Sequence, residues 1–228
     1  MIFPIGDDQV RGGYYPYVTY SLIIINAVVF FYEVIIPPEE IRDVLSNYGL
    51  IPMRIMSGGG KITFITSLFL HAGWAHFLGN LLFLWVFADN IEASIGSYRF
   101  LMFYFFGGIV ASMFHVFMNQ GSLVPTIGAS GAISGVLGTY ILLFPRSQIK
   151  VIFIFFFFTF RVPAVLFLGF WIGQQFFNGL SSIGSTSEIG SGMVAWWAHI
   201  GGVLFGLLCG LFFRKVMNLR GRLQAEED

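Results

Sequence analysis

The sequence predicts an all-α membrane protein, a bundle of six transmembrane helices with both termini cytoplasmic. Three observations predict it. Hydrophobic residues make up 56% of the 228-residue chain and charged residues 11%, against about 25% charged in soluble domains, and mean hydropathy is +0.78. Six apolar stretches approach the roughly 20 residues that a bilayer helix needs. The basic residues are distributed unevenly between the two sides that six crossings define, which sets orientation.

The spans are expected at residues 17–36, 74–95, 99–118, 128–144, 162–177 and 193–216. With the termini inside, nine basic residues (Arg11, Arg99, Arg146, Lys150, Arg161, Arg214, Lys215, Arg220 and Arg222) face the cytoplasm, and three (Arg42, Arg54 and Lys61) face out. Residues 151–160, rich in Ile and Phe and followed by Arg161-Val162-Pro163, read as an extended interfacial segment rather than the start of the fifth helix. Residues 1–15 carry Pro4, Asp7, Asp8 and Arg11 and lack the apolar stretch of a signal peptide. The first span is therefore expected to direct insertion. Residues 1–228 read as one integral membrane domain with its core at 17–216 and no separate soluble domain. Zero net charge without a basic block excludes nucleic acid as a partner, and the lone Cys209 forms no internal disulfide.

Polar residues inside apolar spans are the functional candidates. His76 and Asn80 lie early in the second span, Ser130 early in the fourth and His199 early in the sixth. These three spans run in the same direction, so at 1.5 Å per residue all four groups sit roughly 5–10 Å below the outer surface. Ser130 lies within Gly128-Ala129-Ser130-Gly131. Glycines at 131, 135 and 138, and at 202, 206 and 210, give the fourth and sixth spans small faces that let backbones approach closely. Packing those faces would bring the Ser130 hydroxyl to the His199 imidazole, the minimum set for nucleophilic acyl transfer. His76 and Asn80, at i and i+4, share a helical face and, with the Ser130 amide, are candidate donors to an oxyanion. Asp89 and Glu92 lie too far along their helix to complete a triad, and Glu188 is in a loop that nothing directs to the site. A dyad is expected. The first loop, 37–73, and the Gly/Ser-rich fifth loop, 180–192, would border a wet cavity, the latter as a lid.

These residues resemble the rhomboid intramembrane serine proteases. The likeness runs from about Tyr17 to Val216, through His76-Phe77-Leu78-Gly79-Asn80, Gly128-Ala129-Ser130-Gly131 and Ala198-His199-Ile200-Gly201-Gly202. It implies a serine endopeptidase with Ser130 as nucleophile, His199 as base and oxyanion help from His76 and Asn80. Gly128, Gly131 and His71 would support the site. It further implies single-span membrane proteins as substrates, cut in or near their transmembrane segments, with no cofactor and no metal. A cell (inner) membrane, with the site toward the outer face, is the expected location. Glu92 resembles the family's structural acid. Two departures stand out: the first loop has no Trp-Arg pair, and Ser134 occupies the position where some members stack a tyrosine on the histidine.

Blander readings compete. A lone membrane serine is ordinarily a packing residue, and Asn80 or His76 could serve as an interhelical hydrogen bonder. His71 reads as mainly structural, His115 as packing or interfacial, and Trp85, Trp171, Trp196 and Trp197 as core or interfacial anchors. The alternative function is a catalytically inactive rhomboid-like protein that binds membrane proteins. A channel or transporter would want internal repeats or paired broken helices, and a metalloprotease something like H-E-x-x-H. The chain has neither.

Overall fold

In the computed structural model, which describes residues 2–8, 14–153, 158–182 and 195–227, apolar helices dominate. In chain order they are α1 (Tyr17–Ile35), α2 (Pro38–Tyr48), α3 (Pro52–Met56), α4 (Thr63–Thr66), α5 (Trp74–Ile95), α6 (Ser97–Met118), α7 (Ser130–Leu143), α8 (Ala164–Ser181) and α9 (Trp196–Glu227). Prolines open α2 and α3, where a missing N–H costs nothing. Gly96, at φ +87°, ends α5 and begins α6. Only glycine adopts that conformation readily, and so the chain reverses in one residue.

Helices α1 and α6, and the Trp196–Met217 part of α9, are each long and apolar enough to cross a membrane. Thr63–Phe69 and Trp74–Ile95, bent by 97° at the break between them, pass the same test together. The molecule is a multi-pass integral membrane protein. Its outward residues agree: Ile24, Val28 and Phe31 on α1, Phe170 and Phe177 on α8, and Leu208 and Phe212 on α9 are exposed, as a lipid-facing surface requires.

Helix α7 lies at the centre, packed against α5, α6, α8 and α9, with Gly131 through Tyr140 buried. The α7–α9 seam is backbone against backbone. A Cβ on Gly202 would fall on the Gly131 carbonyl oxygen, and one on Gly206 on the Gly135 carbonyl. A Cβ on Gly138 would come within 2.5 Å of the Val203 carbonyl. The Thr139 hydroxyl donates across the seam to the Gly206 carbonyl at 2.8 Å.

Residues 37–73, expected as loop, fold instead into α2, α3, α4 and a 3-10 turn at Ser67–Phe69. Arg54 donates to the carbonyls of Ser46 (2.6 Å) and Gly49 (2.9 Å), and the Thr66 hydroxyl to that of Tyr48 (2.7 Å). Arg54 thereby supplies a local anchor in the segment that lacks a Trp-Arg pair. Helix α8 starts two residues later than expected and α9 runs well beyond residue 216. Of the lid expected at 180–192, residues 180 and 181 belong to α8, and residues 183–192, with Glu188, lie outside the described residues.

At the far end of α7 from Ser130, three strands form an antiparallel sheet in the order β1 (Ile2–Gly6), β2 (Gln148–Phe153), β3 (Phe158–Pro163). The extended reading of 151–160 agrees with the two strands that flank residues 154–157. Beside the sheet, Asp7 accepts hydrogen bonds from the Tyr140 hydroxyl and, at 2.7 Å, from the Asn90 amide. Asp8 accepts from the Gln148 amide at 2.9 Å. Glu92, fully buried, accepts from the Val18 and Thr19 amides at 3.0 and 2.8 Å, and from the Thr19 and Ser97 hydroxyls. A carboxylate at free helix amides is well placed, and it ties α1 to the α5–α6 corner.

Two outcomes follow from this packing. Gly206→Ala should destabilise the protein by about 1–3 kcal/mol, because the added methyl meets a rigid carbonyl. Gly169→Ala, with nothing within 4 Å of the new atom, should stay within about 1 kcal/mol of wild type. Thermal unfolding in detergent compares the two, and equal effects would contradict the seam. The Asp7 carboxyl is pushed up to about 7, chiefly by its removal from water, with Asp89 and Asp8 adding and the Tyr140 and Asn90 hydrogen bonds opposing. Between about pH 4 and 7 the folded chain therefore holds a proton that the unfolded chain has released. The stability this gives is complete below about pH 4 and lost as pH rises through 7. Hydrogen exchange of the β1 amides, corrected for intrinsic rate, should accelerate over that window in wild type and not in Asp7→Asn.

Candidate active site

The site forms where α5, α7 and α9 begin and α8 nears its end. Ser130 is the first residue of α7, and the preceding Ala129 offers its amides no side-chain cap. The approach to Ser130 is pinned at three points. Leu50 and Thr126 exchange backbone hydrogen bonds at 3.0 and 2.8 Å, His115 Nε2 lies 2.8 Å from the Thr126 hydroxyl, and the Gly128 amide donates to the Ser67 carbonyl at 2.8 Å. Gly128 sits at φ +117°, and a Cβ there would come within 2.6 Å of the His76 ring. Glycine at 128 is required twice over, by conformation and by space. At Gly131 a Cβ would press on that of Ala111 at 3.0 Å.

His199, one turn into α9, is 7% exposed. Its Nε2 lies 2.8 Å from the Ser130 hydroxyl, and its Nδ1 lies 2.8 Å from the amide oxygen of Gln175 on α8. The Trp171 ring lies 5.7 Å from the imidazole at 36°, and the Trp196 ring meets it edge-on at 6.3 Å. Ser134 is fully buried and its hydroxyl donates back to the Ser130 carbonyl at 2.6 Å, so aromatic support comes from α8 and α9 instead of α7.

His76 and Asn80 both face Gly128, with Asn80 Nδ2 3.5 Å from the position a Cβ would take there. His76 Nδ1 accepts a long hydrogen bond (3.4 Å) from the Ala72 amide, which leaves the proton of the neutral ring on Nε2, the nitrogen nearest Gly128. Asn80 Nδ2 is buried with no hydrogen-bond partner. A donor left unpaired in a membrane interior is costly, and marks a place where a ligand oxygen would be welcome. His71 stands behind His76, rings 5.2 Å apart, with its amide bonded to the Glu33 carboxylate at 3.1 Å and its Nδ1 3.1 Å from the Phe69 carbonyl.

The structure thus brings Ser130, His199, His76, Asn80, Gly128, Gly131 and His71 into one cluster, while His115 turns to Thr126. A family model described as the Rhomboid domain matches residues 59–216. The chain belongs to the rhomboid family. It is 32% identical over 171 residues to Rhomboid protein 1, mitochondrial, of Saccharomyces cerevisiae, covering 72% of this chain and 46% of the yeast protein. It is 29% identical over 180 residues to RHOMBOID-like protein 12, mitochondrial, of Arabidopsis thaliana, covering 70% and 52%. It is 32% identical over 123 residues to Rhomboid protease GluP of Bacillus subtilis, covering 54% and 24%. The chain spans about half the length of the first two of these rhomboid relatives.

Gln175 and Trp171 escaped the sequence reading as site residues, and Glu33 as the partner of His71. Their signal was present: Gln175 is a polar amide inside an apolar span, as Glu33 is a carboxylate inside another.

One outcome tests the orphaned donor in this rhomboid site. Asn80→Ala removes a buried group with no partner, so thermal stability should change by less than about 1 kcal/mol. Labelling of Ser130 by a fluorophosphonate should slow on the order of 10²–10³-fold, because its tetrahedral adduct carries an oxygen toward the same place. Equal loss of stability and labelling would instead make Asn80 a packing residue.

Proposed function

We propose that this rhomboid is an intramembrane serine endopeptidase that hydrolyses peptide bonds in or near the transmembrane segments of single-span membrane proteins. The observation that carries the reading is the 2.8 Å contact between the Ser130 hydroxyl and His199 Nε2, made by two segments 69 residues apart. The Ser130 oxygen attacks the scissile carbonyl while His199 Nε2 takes its proton. The carbonyl oxygen becomes an oxyanion, met by His76 Nε2–H, Asn80 Nδ2–H and the Ser130 amide. His199 returns the proton to the leaving amine, the C–N bond breaks, and an acyl-serine remains. Water then attacks that ester with His199 again as base, releasing the carboxylic acid and restoring Ser130. Gly128 and Gly131 keep the space clear, and His71 backs His76.

Six crossings with both termini in the cytoplasm of a cell (inner) membrane complete the reading. This puts the site toward the outer face, where water is near. The nine-to-three division of basic residues supports that orientation. An inactive rhomboid-like binder would have no need of a hydroxyl and an imidazole within hydrogen-bond distance.

Purified wild type, Ser130→Ala and His199→Ala, reconstituted with a single-span substrate in liposomes, test the proposal. Cleavage should be lost in both variants, while their thermal unfolding stays close to wild type. Undiminished cleavage by Ser130→Ala would overturn the assignment, and binding without cleavage by wild type would favour the inactive binder.

A further inference from the structure

Gln175 is 3% exposed, on a helix whose neighbouring Phe170 and Phe177 face the lipid. A primary amide buried there needs a use for both of its ends. Its nitrogen donates to the Trp171 carbonyl at 3.1 Å. A backbone carbonyl only accepts, so the NH2 end is fixed and the oxygen is the end that faces His199 Nδ1 at 2.8 Å. An amide oxygen in turn only accepts, which requires the proton on Nδ1. In a neutral imidazole the other nitrogen then carries the lone pair, and that nitrogen faces the Ser130 hydroxyl. Two chained hydrogen bonds, from Trp171 through Gln175, thus select one of two tautomers.

We propose that Gln175 is the positioning residue of the base, holding His199 by its Nδ1–H in the tautomer and orientation that can receive the Ser130 proton. The inference rests on the serine-peptidase reading of the site. Gln175 occupies the place a carboxylate takes in a serine triad, and does so without charge. Among the described residues no carboxylate hydrogen-bonds to His199, and its titratable neighbours are His76 on α5 and His115 on α6. A neutral acceptor suits an interior where an unpaired carboxylate would be expensive. It also makes the base depend on α8, which supplies both Gln175 and the Trp171 carbonyl that fixes its amide.

The test compares Gln175→Leu and Gln175→Glu with wild type, all in liposomes with the same single-span substrate. Leucine keeps the bulk and removes the acceptor. It should lower kcat about 10- to 100-fold, less than the roughly 10²–10⁴ that a general base supplies, with KM within twofold. Glutamate restores an acceptor for Nδ1–H and should recover most of kcat. The acid limb of the pH–rate profile should move in opposite directions in the two variants, down in pH for leucine and up for glutamate. A residue that only packs would lower stability and shift neither limb. If wild type cleaves in a Ser130-dependent manner but Gln175→Leu keeps kcat within twofold and an unmoved profile, the positioning role is wrong while the peptidase reading stands. If Ser130→Ala cleaves as wild type does, the peptidase reading itself fails.

Discussion

The structure depends on how closely two backbones approach at the α7–α9 seam. Gly202 lies on the Gly131 carbonyl and Gly206 on the Gly135 carbonyl, with no room for a methyl group at either. In lipid, helices gain little by hiding apolar surface from apolar tails, so association rests on dispersion between atoms in contact and on interhelical hydrogen bonds. Glycine maximises the first and Thr139 supplies the second. The consequence for chemistry is direct. Ser130 stands one residue before Gly131 and His199 three before Gly202, so the backbone contact between those two glycines sets the separation of the side chains beside it. A side-chain-mediated crossing, with rotamers to choose among, would leave that distance loose.

The second constraint is charge. No carboxylate stands among the groups placed at the proposed reaction centre, which are a hydroxyl, two imidazoles, two carboxamides and backbone amides. Carboxylates are present in the molecule, but they sit where amides meet them, as with Glu92 at the start of α1 and Glu33 at the His71 amide. The division is what a low-dielectric interior demands. Charge that develops during reaction finds oriented dipoles already in place, and the resting protein does not have to hold it.

The helices long and apolar enough to cross a membrane, and the proximity of Ser130, His199, His76 and Asn80, were legible because each rests on a local signal that survives folding. An apolar run of the right length, a glycine every fourth residue, and an ionisable group where lipid is expected are visible in one dimension. Ser130, His199, His76 and Asn80 could be placed at one depth by counting residues. The helices within residues 37–73 were missed because they are short and are held by Arg54 and Thr66 bonding to carbonyls that no pattern announces. Gln175 was passed over for a different reason. Its meaning lies in a contact with a helix 24 residues on, and only the direction of its amide, set by Trp171, says that it accepts rather than donates. The partners of the sheet were equally hidden, since β1 pairs with a strand that follows α7 in the chain.

That sheet has a mechanical corollary. β3 ends at Pro163 and α8 begins at Ala164, so the helix is welded at one end to three paired strands and to the Asp8 bonds that clasp them. Towards its other end the helix rests on α9, with Gly179 against Ile200 and Trp196. Any tilt of such a rod away from α9 would pivot about the strand end. Gln175 stands twelve residues from the fulcrum, about 18 Å along the axis, so a tilt of only about 5° would carry its oxygen about 1.5 Å sideways. That is half the length of the bond it makes. A displacement of α8 from the bundle would thus also take the acceptor away from His199, so the flank of the molecule and the orientation of its imidazole are mechanically one.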